Sequence, residues 1–126
     1  MDRDFGLLFL RVTTGLMMAI AHGYGKMAML FTGKTGFPDP LGIGSVPSLV
    51  LAASAEFIFA LLVVIGFKTR LAAVPLVITM LVAAFMIHGG DPWAKKEFAL
   101  LYAIPFFTLI FTGAGKYSID GLRRRK

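Results

Sequence analysis

Four long apolar segments constrain the fold of this 126-residue chain more than any other feature of its sequence. They span about residues 5–30, 47–67, 71–88 and 98–112. A helix needs about 20 residues to cross roughly 30 Å of hydrocarbon. The segments also lack the alternation of polar and apolar residues that is typical of membrane strands. We therefore predict an all-α fold, an integral membrane four-helix bundle that forms a single domain over residues 1–126.

The composition supports a membrane protein. Apolar residues make up 57% of the chain and charged residues 16%, whereas soluble domains usually carry about 45–50% and about 25%. The chain has no cysteine, which excludes structural disulfides, thiolate metal sites and cysteine redox motifs. The formal charge is +6, but the basic residues lie beside apolar segments. This placement indicates a lipid surface rather than a nucleic acid.

The distribution of Lys and Arg outside the segments predicts the orientation in the membrane. Eight basic residues fall on one side and three on the other. The first set comprises Arg3, Lys68, Arg70, Lys116, Arg123, Arg124, Arg125 and Lys126, and the second Lys34, Lys95 and Lys96. Since cytoplasmic loops carry an excess of Lys and Arg, we predict that both termini face the cytoplasm.

The first apolar segment carries polar residues at a helical spacing. Arg11 and His22 are eleven residues apart, which is close to three turns, and Lys26 follows one turn later. Gly15 and Met18 lie between them on the same stripe. Ionisable residues within a span cost at least about 2.5–3.5 kcal/mol and usually face the bundle interior. We therefore expect this stripe to point inward.

Glu56 is the ionisable residue of the second apolar segment, about nine residues from its start. At about 1.5 Å per residue, it lies near the middle of the membrane and close to the depth of His22. We predict that Glu56 accepts a hydrogen bond or a salt bridge from His22 or Lys26. Arg11 approaches from the opposite side and reaches Glu56 only if its side chain is extended.

A structural role is the alternative for each of these residues. Lys26 and Arg11 would then extend to the two interfaces, and His22 would be an ordinary packing residue. A buried ion pair at Glu56 would only fix the register of the helices.

A metal site between the helices would need ligands from different segments. The candidates are His22, His88, Glu56 and Glu97. The chain lacks the Glu-x-x-His pairs of helical metal centres, so we predict no metal.

Three blocks of the sequence resemble the DoxX family. The first is "RVTTGLMMAIAHGYGKM", with an Arg, a Gly, His-Gly and a Lys. The second is "SAEFIFALLVVIGFKTRLAAVPLVITMLVAAFMIH", with a buried Glu and a Thr-Arg-Leu-Ala corner. The third is "KKEFALLYAIPFFTLIFTGAGKYSID". Phe57 and Ile58 replace glycines that are usual after the Glu. The positions that match in pattern are Arg11, His22, Lys26, Glu56, Arg70, Glu97 and Tyr102.

The resemblance implies a four-helix protein of the bacterial inner membrane. Relatives are linked to oxidoreductase assemblies, including a thiosulfate:quinone oxidoreductase and a mycobacterial complex that handles oxidative and thiol stress. Our first hypothesis is therefore an accessory or quinone-interacting subunit of a membrane redox system, in contact with the lipid bilayer. No redox centre is visible in the sequence, so electrons would come from a membrane or peripheral redox partner or a bound cofactor, and whether the chain is an enzyme stays open.

A quinone head group needs hydrogen-bond donors in an apolar cleft. The residues that we predict to bind a ligand are His22, Lys26, Glu56, Tyr102, Glu97 and His88. We assign structural roles to Arg11 and Arg70. Two alternatives stay open: a scaffold or assembly factor without chemistry of its own, and a small-molecule or proton-coupled carrier. The carrier would require a homo-oligomer, because four short helices leave little room for a pathway.

Overall fold

The computed structural model describes residues 2–33 and 36–124 of the chain. Lys34, Arg125, Lys126 and the side chain of Arg124, all counted in the charge distribution, lie outside the described part. The described residues form helices joined by loops and contain no strand, so the predicted all-α bundle is confirmed. The helices are α1 (Arg3–Thr32), α2 (Ser45–Ile65), α3 (Thr69–Ile87), α4 (Trp93–Thr112) and the short α5 (Ile119–Arg124).

The helices agree with the four predicted apolar segments to within a few residues. Helices α1, α2 and α3 are long and apolar enough to cross a membrane. Helix α4 has 20 residues, but its first turns carry the charged residues Lys95, Lys96 and Glu97, so its apolar part is shorter. The chain is therefore built as a membrane-embedded helical bundle.

Both termini lie at the same end of the bundle, which we call the terminal end. The hydroxyl of Tyr117 donates to a carboxylate oxygen of Asp2 at 3.1 Å. The backbone N–H of Lys116 donates to Asp4 at 3.0 Å. The opposite end, which we call the loop end, carries residues 36–44 and the turn after His88.

Three of the helices contain a π-helical segment, which the sequence did not predict. The segments are Ala19–Gly23 in α1, Ser54–Phe59 in α2 and Ala83–Ile87 in α3. A π-helical turn holds one residue more than an α-helical turn and occurs frequently at functional sites. The segment of α3 lies at the loop end, and those of α1 and α2 lie near the middle of their helices, where the two helices contact each other.

The π-helical segment of α1 changes the predicted polar stripe. Arg11, Gly15 and Met18 are buried, as expected from the helical spacing. Beyond Met18 the extra residue of the π turn rotates the register, so Gly23 rather than His22 is buried against α2. The stripe still points inward, since His22 and Lys26 line the interior of the bundle together with Met18, but it does not follow the straight line of an uninterrupted α-helix.

An apolar core fills the bundle between its two ends. Its largest fully buried apolar side chains come from all four long helices: Met18, Leu49, Val63, Leu76, Phe106 and Leu109. Helix α1 approaches α2 closely at Gly15, where a Cβ would lie 2.6 Å from the side chain of Val64. The close approach lets short helices bury enough surface to hold the bundle together.

Candidate functional site

Lys26 and Glu56 form an ion pair between α1 and α2. The ammonium nitrogen of Lys26 lies 2.6 Å from Oε1 of Glu56. The side chain of Glu56 is 5% exposed and that of Lys26 is 22% exposed. The prediction that Glu56 pairs with a residue of the first segment is confirmed, with Lys26 rather than His22 as the donor.

The backbone of α1 lies directly on α2 beside this pair. A Cβ at Gly23 would overlap the carbonyl group of Glu56. The glycine therefore permits the contact between the π-helical segments of α1 and α2, and this contact brings Lys26 within reach of the carboxylate. The contact gives Gly23, the first glycine of the "HGYGK" stretch, a specific packing role.

A cavity of about 460 Å³ lies beside the ion pair, in the half of the bundle toward the loop end. All four long helices contribute to its walls, and residues 37–41 of the loop close it from above. Its deepest lining residues are Met18, Phe59 and Pro75. The walls are mainly apolar. The polar side chains in the lining are His22, Lys26, Ser48, Ser54, Glu56, Thr79, His88, Lys95 and Tyr102.

An aromatic cluster closes the cavity between α1 and α4. The ring of His22 meets the ring of Phe98 at 5.5 Å and that of Tyr102 at 5.2 Å, both edge to face. Phe98 and Tyr102 are 5.5 Å apart in the same arrangement. The π-helical segment turns His22 toward α4, where the three rings form one wall of the cavity.

His88 lines the cavity at its loop end. Its Nδ1 lies 2.8 Å from Oδ2 of Asp91. The hydrogen bond with His88 holds the pKa of Asp91 below its usual value, and the nearby Lys95 adds to the effect. The pair fixes the turn that leads from α3 into α4.

Glu97 lies outside the cavity, unlike the other residues that we predicted to bind a ligand. Its carboxylate is exposed and accepts a hydrogen bond from the indole N–H of Trp93 at 3.3 Å. Sequence position placed Glu97 at the correct end of α4 but not on the correct face. The geometry therefore leaves Glu97 out of the candidate site.

Arg11 is fully buried at the terminal end, far along α1 from Glu56. One terminal nitrogen donates to the carbonyls of Val63 at 3.1 Å and Val64 at 2.6 Å. The other donates to the carbonyl of Tyr117 at 2.6 Å. Arg11 therefore satisfies carbonyls at the end of α2, where the intrahelical bonds stop and a positive charge is favourable.

Arg70 lies on the surface at the start of α3. Its guanidinium is close to Gly113, the residue that ends α4, where a Cβ would lie 3.1 Å from Nε. Neither Arg11 nor Arg70 lines the cavity. The buried, hydrogen-bonded placement of Arg11 supports a structural role, whereas the structural role of the exposed Arg70 stays a prediction.

The sequence analysis missed the loop that covers the cavity. Phe37, Pro38, Pro40 and Leu41 belong to the lining, although none of them was among the predicted ligand-binding residues. Asp39 holds it in place by accepting hydrogen bonds from the N–H groups of Ile43 at 3.0 Å and Gly44 at 2.8 Å. The sequence does carry a signal for this role, because apolar and proline residues are unusually dense here for an exposed loop.

Comparisons with known proteins give one family and several relatives. A family model described as DoxX matches residues 6–89. An uncharacterized protein of Haemophilus influenzae is 34% identical over 127 residues, which cover 94% of this chain and 90% of the relative. The inner membrane protein YqjF of Escherichia coli is 30% identical over 129 residues, 98% of this chain and 95% of the relative. No solved structure gives a significant match.

Proposed function

The chain belongs to the DoxX family of membrane proteins, and on this premise we propose that it is an accessory subunit of a membrane redox system that binds a quinone in its cavity. The observation that carries the proposal is the cavity itself, in which an ion pair and three polar rings are set into mainly apolar walls. Ligand sites typically have this composition and a volume of about 300–1,000 Å³. The cavity, at about 460 Å³, falls within this range.

The polar groups of the cavity suit a ring with two carbonyl oxygens. The ammonium of Lys26, a ring nitrogen of His22 and the hydroxyl of Tyr102 are donors that line the same space. Glu56 keeps Lys26 in place and, as a carboxylate, can accept a proton or a hydrogen bond from a quinol hydroxyl. These residues therefore fit both the oxidised and the reduced form of the head group.

Reduction of a quinone consumes electrons and protons, and the two have different sources in this proposal. The chain contains no cysteine, and its described residues include no cluster of three metal-ligating side chains. In this proposal the electrons come from a membrane or peripheral redox partner or from a bound cofactor. The chain's own residues bind and orient the ring, while the loop over the cavity excludes water.

The same proposal places the chain in the inner membrane with its termini in the cytoplasm. The Escherichia coli relative is an inner membrane protein by name. Within the described residues the terminal end carries Arg3, Lys68, Arg70 and Lys116. This charge bias supports a cytoplasmic terminal end.

Binding of a quinone analogue to the purified protein tests the proposal. We expect the wild-type protein to bind and His22→Ala to bind about tenfold more weakly, since it loses a donor and one ring of the aromatic wall. Glu97→Gln is the matched control because Glu97 lies outside the cavity, and it should bind like the wild type. Absence of binding in both the wild type and His22→Ala would rule out the quinone assignment.

A scaffold or assembly role is the second candidate, and the Lys26–Glu56 pair favours it because the pair ties α1 to α2. In that case Glu56→Gln lowers stability and no ligand binds. A carrier has less support, because the cavity ends at Met18 and Pro75, beside the packed core of the described residues. A single copy would need a large rearrangement to open a path through this core.

A further inference from the structure

The four long helices separate into two pairs toward the loop end. The first half of α2, Ser45–Ala53, packs against the last part of α1, Tyr24–Thr32. The segment Ala83–Ile87 of α3 packs against α4. Between the two pairs the backbones make few contacts at this level, and the cavity occupies the space.

The two sides of this space differ in the residues that line them. The side between α1 and α4 is filled by the rings of His22, Phe98 and Tyr102, which pack edge to face, although Phe98 is also 53% exposed. The side between α2 and α3 has no such cluster among the described residues. Its lining residues are Leu51, Ala52, Ile78, Thr79 and Ala83, which together we call the α2–α3 opening.

The α2–α3 opening faces outward at membrane depth. Leu51 and Ile78 both line the cavity and are both 56% exposed, so the cavity reaches the outer surface of the bundle there. Leu51 lies six residues into α2, about 9 Å below its start at 1.5 Å per residue. Exposed apolar residues at this depth contact lipid chains rather than water.

A loop lies at the aqueous end of the cavity. Phe37 and Leu41 lie over the cavity. Asp39 fixes this loop to α2, because it also accepts a hydrogen bond from the hydroxyl of the buried Ser48 at 2.9 Å. Hydrogen bonds from the backbone of Gly44 and Ile43 hold the pKa of Asp39 below its usual value, so the carboxylate is charged at neutral pH.

We propose that the ligand is an amphiphile whose polar ring lies at Lys26 and Glu56 and whose hydrocarbon tail leaves through the α2–α3 opening into the bilayer. The ligand enters sideways from the lipid and not from water. This inference rests on the proposed quinone function and narrows it to a long-chain, membrane-dissolved quinone. The tail of such a molecule would gain apolar contacts along Leu51 and Ile78.

A bulky residue in the opening tests the route of the tail. We compare Ala52→Trp with Ile104→Trp, whose site is exposed on α4 away from the cavity. Two probes are used in lipid nanodiscs: a quinone with a long isoprenoid chain and the same ring without a chain. We expect Ala52→Trp to weaken binding of the tailed probe about tenfold and binding of the tail-less probe by less than about twofold. Ile104→Trp should leave the binding of both probes unchanged.

Photo-crosslinking of the unmodified protein gives a second test that does not depend on a variant's folding. The tailed quinone carries a diazirine on its chain, and mass spectrometry locates the labelled residues. We expect labels at Leu51, Ile78 and their neighbours. Labels confined to residues 36–44, or equal effects of Ala52→Trp on the two probes, would overturn the lateral route.

The two proposals fail in distinguishable ways. If the tail-less ring binds the wild type but crosslinking does not place the tail in the α2–α3 opening, the quinone function is supported and the lateral route is wrong. If neither probe binds the wild type, the quinone function and the lateral route both fall.

Discussion

The ammonium of Lys26 lies 2.6 Å from Oε1 of Glu56, and the two side chains join α1 to α2 beside the cavity. Removing one partner of such a pair leaves a charge in a poorly hydrated place. We expect Lys26→Met to lower the free energy of unfolding by about 2–3 kcal/mol, below the usual cost for a fully buried pair because Lys26 is partly exposed. Unfolding in mixed detergent micelles measures the change.

The double variant Lys26→Met with Glu56→Gln separates the energy of the ion pair from the cost of burying an unpaired charge. Because it leaves neither charge unpaired, it should lose about 1–3 kcal/mol less than the sum of the two single variants. Strictly additive losses would contradict a direct interaction between the two side chains.

We expect replacement of Arg11 to cost more stability than replacement of Lys26, because Arg11 is fully buried and its partners are backbone carbonyls at the terminal end. Replacing it with Met removes the donor to the carbonyls of Val64 and Tyr117 and leaves that of Val63 with the N–H of Gly66 alone. We expect a loss of about 3–5 kcal/mol in the free energy of unfolding. Arg11→Lys should recover only part of it, since one ammonium cannot span the three acceptors. The control Arg70→Met removes an exposed charge and should change stability by less than about 0.5 kcal/mol.

The sequence predicted the helices and the partner of Glu56 for the same reason. Long apolar runs define where helices lie, and a fixed rise per residue then gives the depth of each polar side chain. Counting turns placed Glu56 at the level of His22 and Lys26, and the structure pairs it with Lys26.

Other features could not be predicted because they depend on packing. The π-helical segments have no signature in the local sequence, so the packing of His22 against Phe98 was not predicted, although His22 and Tyr102 were both assigned to the site. The acceptors of Arg11 are backbone carbonyls. Because every residue carries a carbonyl, the sequence does not indicate which ones the guanidinium contacts. Glu97 was assigned to the site by its depth alone, while its rotation around α4 places it on the surface with Trp93.

Gly23 offers a test of the contact that forms the site. A Cβ there would overlap the carbonyl of Glu56, so Gly23→Ala must push α1 away from α2. We expect a loss of about 1–3 kcal/mol in stability together with weaker ligand binding. Gly25→Ala is the matched control, because a Cβ at Gly25 meets open space. That change should be neutral or should stabilise by roughly 0.5–1 kcal/mol. Equal effects of the two variants would argue against the close contact.

Asp120 connects α5 to the start of α3 and makes stability depend on pH. Its carboxylate accepts hydrogen bonds from the N–H groups of Lys68 at 2.7 Å and Thr69 at 2.9 Å. Burial alone would raise the pKa of Asp120, but the hydrogen bonds from Thr69 and Lys68 outweigh it and bring the pKa below the ordinary 3.8. Because the folded state binds the proton less tightly than the unfolded state, the stabilisation is complete above the ordinary pKa. It is lost as the pH falls through the lowered value.

The variant Asp120→Asn isolates this contribution from those of other carboxylates. We expect it to be less stable than the wild type by about 1 kcal/mol at neutral pH, as for the loss of a helix cap. The difference between the two proteins should shrink as the pH is lowered from 6 to about 3. Thermal unfolding in detergent across this range measures the difference. If the difference stayed constant, the charge of Asp120 would not be what holds the start of α3.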